Sequence, residues 1–148
     1  MGFGRGFAGG VSPDKTDGGL KRIRDIERKT DVGDATFTVK DISKGAINRV
    51  VSGQRRDGIS LTDVDKFAEG LGISKGDDFD FRLYVDNPSR GEYTLTIPDS
   101  RTVSGVEIFG DLSGLSAFTG ERCIHEINFF YVTTGKLAIT VRTDQPPR

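Results

Sequence analysis

The sequence predicts a mainly β protein, an antiparallel sandwich or small barrel carrying one short α-helix and an extended N-terminal arm. Three observations lead there. The chain closes on "CIHEINFFYVTTGKLAITVRT", which reads as two strands, Cys123–Val132 and Lys136–Arg142, around a Thr133-Thr134-Gly135 turn. Apolar and polar residues alternate with period two through Phe79, Phe81, Leu83 and Val85, and again through Tyr93, Leu95 and Ile97. The 148 residues include 20 glycines, about twice the usual share, and 10 phenylalanines with no tryptophan. That composition suits short strands and tight turns better than long helices.

Two segments divide the chain, an arm over residues 1–34 and a β-domain over 35–148. Residues 1–19 are Gly-rich, with Phe3, Phe7 and Val11 as isolated apolar points and Arg5 between the phenylalanines. Such a segment holds too little apolar surface to fold alone. By composition it reads either as a disordered tail or as an arm that gains order on a partner, with Phe3, Arg5, Phe7 and Val11 as its anchors. Leu20–Thr30, "LKRIRDIERKT", carries Leu20, Ile23 and Ile26 as a thin stripe and predicts a short polar helix.

From Ala35 the pattern turns to strands. Thr36–Lys40 alternates, with Phe37 and Val39 on one face, and Ala46–Val51 predicts a second strand. "SGQRRDG" at 52–58 reads as a loop by its turn residues. One amphipathic helix follows. Ser60 is placed to cap it, with Asp63 completing a capping box; Leu61, Val64, Phe67, Ala68 and Leu71 share a face, and Gly70 and Gly72 end it. The strand through Phe79–Val85 turns at Asn87-Pro88-Ser89, and the next stops at Pro98. Val103–Phe109 predicts another strand, broken at Gly105, and residues 110–121 a loop whose apolar members cover a sheet edge. Within the closing hairpin, Phe129 and Tyr131 lie on one face of the strand, Phe130 and Val132 on the other. A strand apolar on both faces is buried on both, either at the centre of the fold or as an oligomer contact formed by Phe129, Phe130, Tyr131 and Val132.

Chemistry-bearing groups are sparse. The formal net charge is −1, which gives no global argument for nucleic acid or an anionic membrane. No run of 18 apolar residues marks a membrane helix, the N-terminal stretch lacks a signal-type apolar core, and Gly6 departs from the myristoylation pattern. Cys123 is the single cysteine, so no intrachain disulfide forms. Cys123 and His125 point the same way from a regular strand, but a structural zinc site takes four ligands, and no third group orients the imidazole for nucleophilic catalysis. Only a threefold assembly, by clustering copies of His125, would build a metal site. The acidic groups Asp63/Asp65, Asp77/Asp78/Asp80 and Glu107/Asp111 do not follow EF-hand spacing, and neither a G-x-S-x-G elbow nor a phosphate-binding glycine loop is present. A non-enzymatic protein without a cofactor is expected.

The serial order of phrases from Thr36 to Val141 carries a resemblance. "TFTVKDISKGAINRV" is followed by "SLTDVDKFAEGLGIS", then "KGDDFDFRLYVDNPS", "YTLTIPDSRTVSG" and "INFFYVTTGKLAITV". This order resembles small β-sandwich, jelly-roll-like proteins associated with the capsids of phages and related viruses: decoration, head-fibre and minor capsid proteins. The resemblance implies a virion protein on the capsid surface, made in the host cytoplasm. It further implies a homotrimer whose partner is the major capsid protein or another shell protein, reached through the N-terminal arm. An alternative lies in Leu20–Ile73, which resembles the helix-turn-helix of phage-type repressors, followed by a C-terminal β oligomerisation domain. In that alternative Ser43, Lys44, Asn48 and Arg49 face the major groove, and Arg55 and Arg56 hold phosphates.

Overall fold

The computed structural model describes residues 26–30, 33–110 and 121–144. These form nine strands and two helices, so the protein is mainly β as expected. In chain order they are β1 (Glu27–Lys29), β2 (Thr36–Phe37), α1 (Val39–Ile42), β3 (Ala46–Val50), β4 (Arg55–Ile59), α2 (Val64–Leu71), β5 (Asp78–Asp86), β6 (Tyr93–Thr96), β7 (Val106–Gly110), β8 (Arg122–Thr133) and β9 (Lys136–Asp144).

The chain alternates between two sheets. β1, β3 and β5 enter the larger one, and β2, β4 and β6 the smaller. A chain that leaves a sheet, crosses and returns runs again in its first direction, so its neighbour in the sheet is parallel. The small sheet, in the order β2-β4-β6, is parallel throughout. The large sheet, in the order β1-β3-β5-β8-β9-β7, is mixed: β1-β3-β5 and β9-β7 pair in parallel, while β8 pairs antiparallel with β5 and β9. The antiparallel pairing expected from the sequence therefore holds only around β8. Alternation along a strand reports which face is buried, not the direction of the neighbour.

Several local expectations change for identifiable reasons. Glu27–Lys29, expected within a helix, extends beside β3 with Glu27 opposite Ile47. Residues 20–25 of that expected helix lie outside the described residues. The strand expected over Thr36–Lys40 stops at Phe37 because Thr38 caps α1: its hydroxyl accepts from the Asp41 amide at 3.3 Å, and the Asp41 carboxylate accepts from the Thr38 amide at 2.9 Å. The α2 cap is Asp63 rather than Ser60. Asp63 accepts from the Lys66 amide at 3.0 Å, while the Ser60 amide donates to the Phe37 carbonyl at 2.9 Å. Half of the loop expected at 52–58 is β4, with Asp57 turned inward where a loop would leave it in water. The 110–121 loop lies outside the described residues except at its ends.

Inward side chains of both sheets share one core with the helices. Ile47, Phe81, Leu83, Ile127, Phe129, Ile139 and Val141 contribute from the large sheet, Phe37, Ile59 and Leu95 from the small one. α2 lays Val64, Phe67, Ala68 and Leu71 into that core, with the Phe67 and Phe129 rings 5.1 Å apart. Its first turn is tied to the closing hairpin: the Asp65 carboxylate accepts from the Tyr131 hydroxyl at 2.6 Å and from the Gly135 amide at 2.8 Å.

Candidate functional site

The main concentration of buried polar groups lies between the two sheets. β3 alternates so that Ile47 and Arg49 face inward, and Arg49 has no exposed surface. Opposite it, β4 directs Asp57 inward and β6 directs Tyr93 inward. Arg49 Nε donates to Asp57 Oδ2 at 2.7 Å, and its Nη2 donates to Oδ1 at 3.1 Å. The guanidinium also donates to two backbone carbonyls before β2, Thr30 at 3.1 Å and Gly33 at 2.6 Å. Asp57 accepts from the Tyr93 hydroxyl at 2.6 Å and the Ala35 amide at 2.7 Å.

This geometry determines what the cluster can do. Each Asp57 oxygen already accepts two hydrogen bonds, and the charge on the carboxylate is matched by a planar bidentate partner. Burial first, and then the Asp57 charge, hold the Tyr93 phenol proton well above its ordinary range. A closed, neutralised network offers no lone pair to a substrate. Its chemistry is cohesion: Arg49 from one sheet holds Asp57 from the other, together with the backbone leading from β1 to β2.

His125 and Cys123 extend the cluster along β8. The imidazole is fully buried and stacks on Tyr93, with ring centres 6.3 Å apart. Its Nδ1 shares a hydrogen bond with Thr143 Oγ1 at 2.9 Å, and its Nε2 lies 3.7 Å from Cys123 Sγ. Burial lowers His125 to about 4 and pushes the Cys123 thiol up to about 12. Both are therefore neutral at pH 7, so the sulfur is a thiol rather than a thiolate and the imidazole is a weak base. Among the described residues no group of three or more His, Cys, Asp or Glu side chains is placed to hold a metal ion.

A second buried knot closes one end of the molecule. Asn87, fully buried, donates to the carbonyls of Gly53 at 3.1 Å and Gly91 at 2.8 Å, and its Oδ1 accepts from Ser89 at 2.8 Å. The loop before β4 and the turn after β5 are thereby held together. The turn signal Asn-Pro-Ser was legible in the sequence, but its long-range partner was not.

The residues singled out in the sequence separate by face. Phe129 and Tyr131 point into the core, whereas Phe130 and Val132 remain 37 % and 43 % exposed on the outer face of the large sheet. Phe109, 50 % exposed on β7, joins them on that face. Of the groups assigned to DNA in the helix-turn-helix alternative, Arg49 is buried in its ion pair and Asn48 stands on a strand. Ser43 caps α1, Lys44 pairs with Glu27, and Arg56 is exposed on β4 with Arg55 beside it. The stretch expected to be a recognition helix is β3. The arm residues Phe3, Arg5, Phe7 and Val11 lie outside the described residues. Asp57 and Tyr93 were not singled out in the sequence. The available signal was Arg49, a charge occupying the inward phase of the strand between Ile47 and Val51, which calls for a buried acid.

Searches of family models, curated proteins and solved structures returned no match to this chain.

Proposed function

We propose that this protein is a non-enzymatic structural component of a virus particle: a capsid decoration, head-fibre or minor capsid protein. In this reading it is a homotrimer that joins the shell through its N-terminal arm, and its two sheets pack as a sandwich whose pairing is mostly parallel, unlike an antiparallel jelly roll. The observation carrying the reading is the exposed apolar group Phe109, Phe130 and Val132 on the large sheet. Large apolar side chains gathered on one outer face mark a protein contact. The buried clusters support it from inside, since the polar investment of the core goes into holding two sheets together. The serial order of phrases from Thr36 to Val141 supplies the virion class. No observation favours the repressor-type alternative, and Arg49, one of the four residues it sets in the major groove, is fully buried.

The experiment is co-purification with particles. Full-length protein is expected in purified virions of its source, and a chain lacking residues 1–19 is expected to be absent from them. Equal incorporation of both forms would refute attachment through the arm. Absence of the full-length protein from virions would refute the virion role.

A further inference from the structure

The outer face of the large sheet carries an ordered pattern. One cross-strand row reads Glu107 (β7), Ala138 (β9), Phe130 (β8), Asp78 (β5), and the next Phe109, Thr140, Asn128, Asp80. Side chains paired across a sheet share a face. Phe130, Ala138 and Phe109 therefore make a diagonal apolar stripe, which Val132 extends along β8. Carboxylates stand at both ends of the first row and at one end of the second. Asn128 Nδ2 donates to Asp78 at 2.8 Å and to Asp80 at 2.7 Å, which holds the two acids side by side. Among the described residues Asp78, Asp80 and Glu107 form no ion pair, although Asp80 feels the charge of Arg82 two residues along β5. In the neighbouring row Glu126 sits between Arg82 and Arg142 at 3.6 Å each, two cations to one anion.

A partner for this stripe needs apolar groups with a cation between them, on a backbone able to lie close to a sheet. The chain carries that pattern once in its arm, as Phe3-Gly4-Arg5-Gly6-Phe7. Extended, residues 3, 5 and 7 project from one face at steps of about 7 Å, and the intervening glycines put no side chain on the other. We propose that residues 3–7 of one copy of this chain seat on the β7-β9-β8 stripe of a second copy. The phenyl rings lie against Phe109 and Phe130, and Arg5 lies toward the acids.

A second copy is favoured over the chain's own arm by topology. Phe109 is on β7, the edge of the large sheet opposite β1, where the chain's own N-terminal segment arrives. Four strands, β3, β5, β8 and β9, stand between β1 and that edge, whereas a neighbouring copy meets the edge from outside. Reach is no obstacle, since the 19 residues from Phe7 to Ile26 span up to about 60 Å. Arm and stripe are different surfaces, so the contact is heterologous, the type that closes a ring. The inference rests on the oligomer reading above and names its interface, and it does not require the virion role.

The test uses the full-length protein with p-benzoylphenylalanine in place of Phe7. Irradiation is followed by mass-spectrometric mapping, and light scattering gives the mass in solution. The expected result is a covalent product between subunits, attached at Phe109, Phe130 or Val132. Its yield falls with added salt, and the paired substitution Asp78→Lys with Glu107→Lys lowers it at least about fivefold. Those residues are exposed, so the variant still folds, its melting temperature lowered only by loss of the Asn128–Asp78 hydrogen bond; Phe130→Ser, which leaves that bond in place, gives an independent check. A trimer whose crosslinks lie within one chain, or away from the stripe, overturns the arm contact while leaving the oligomer reading intact. A monomer with no intersubunit product overturns both.

Discussion

Replacing Arg49 with methionine removes the cation from a fully buried pair while keeping much of the side-chain volume. Asp57, 2 % exposed, then loses two charge-assisted hydrogen bonds and retains those from Tyr93 and Ala35. The carbonyls of Thr30 and Gly33 lose their donors as well, but that backbone lies nearer the surface, where water substitutes. The dominant loss is thus the uncompensated Asp57 charge. Removing one member of a buried pair destabilises a protein by about 3–5 kcal/mol. A domain of this size has about 5–15 kcal/mol in all, so the variant sits near the edge of folding. Tyr93→Phe removes one hydrogen bond to the same carboxylate and leaves the guanidinium in place; about 1.5–3 kcal/mol is expected. Guanidinium chloride titration of parent and variants measures both. The expected order is Arg49→Met well below Tyr93→Phe, with Tyr93→Phe below the parent. A loss under about 1 kcal/mol for Arg49→Met would refute the reasoning, because only a solvated guanidinium is removed so cheaply.

Three further outcomes follow from single groups. His125 titrates near 4 in the folded chain against 6.5 when unfolded, so between those values the unfolded chain takes up a proton that the native one excludes. Stability therefore declines as pH falls from 6.5 toward 4, by about 3 kcal/mol in all. In denaturant titrations from pH 7.5 to 4.5 (about the window this linkage spans), His125→Phe should flatten the decline, and an unchanged slope would assign it to other groups. Gly105 has φ +89°, and a Cβ there would stand 1.8 Å from the Gly135 carbonyl oxygen; Gly72 has φ +75° with open space around it. Gly72→Ala should destabilise by about 1 kcal/mol and Gly105→Ala by at least about twice that, and equal losses in thermal melts would contradict the close approach. Asp63→Ala should cost about 1 kcal/mol and Ser60→Ala only a few tenths, which distinguishes the observed cap of α2 from the one expected by sequence pattern.

Legibility in the sequence followed the range of the interaction. The two-residue alternation of Phe81, Leu83 and Val85 and the Thr-Gly hairpin located β5, β8 and β9 because burial of one sheet face imprints a local period. The helical face through Val64, Phe67, Ala68 and Leu71 located α2 for the same reason. Boundaries were harder. Thr38 and Ser60 each fit a strand or a cap by pattern; reciprocal hydrogen bonds with Asp41 make Thr38 a cap, while the Ser60 amide is engaged by the Phe37 carbonyl. β4 was hidden because Arg55, Arg56, Asp57 and Gly58 carry the composition of a loop, and only Arg49, 8 positions earlier, makes Asp57 an inward residue.

By itself, then, the sequence determined that the protein is β-rich, where its central helix and closing hairpin lie, and that Phe129 and Phe130 occupy opposite faces of one strand. Only the tertiary structure decided which strands are neighbours, that most pairs are parallel, and which of those two rings meets water. It also decided that Arg49, Asp57, Tyr93 and His125 share one buried space. The physical reason is common to all of these. Periodicity is written into consecutive residues, but the partner of a strand or of a buried charge is chosen across the chain, by which crossing lets every inward group find its complement.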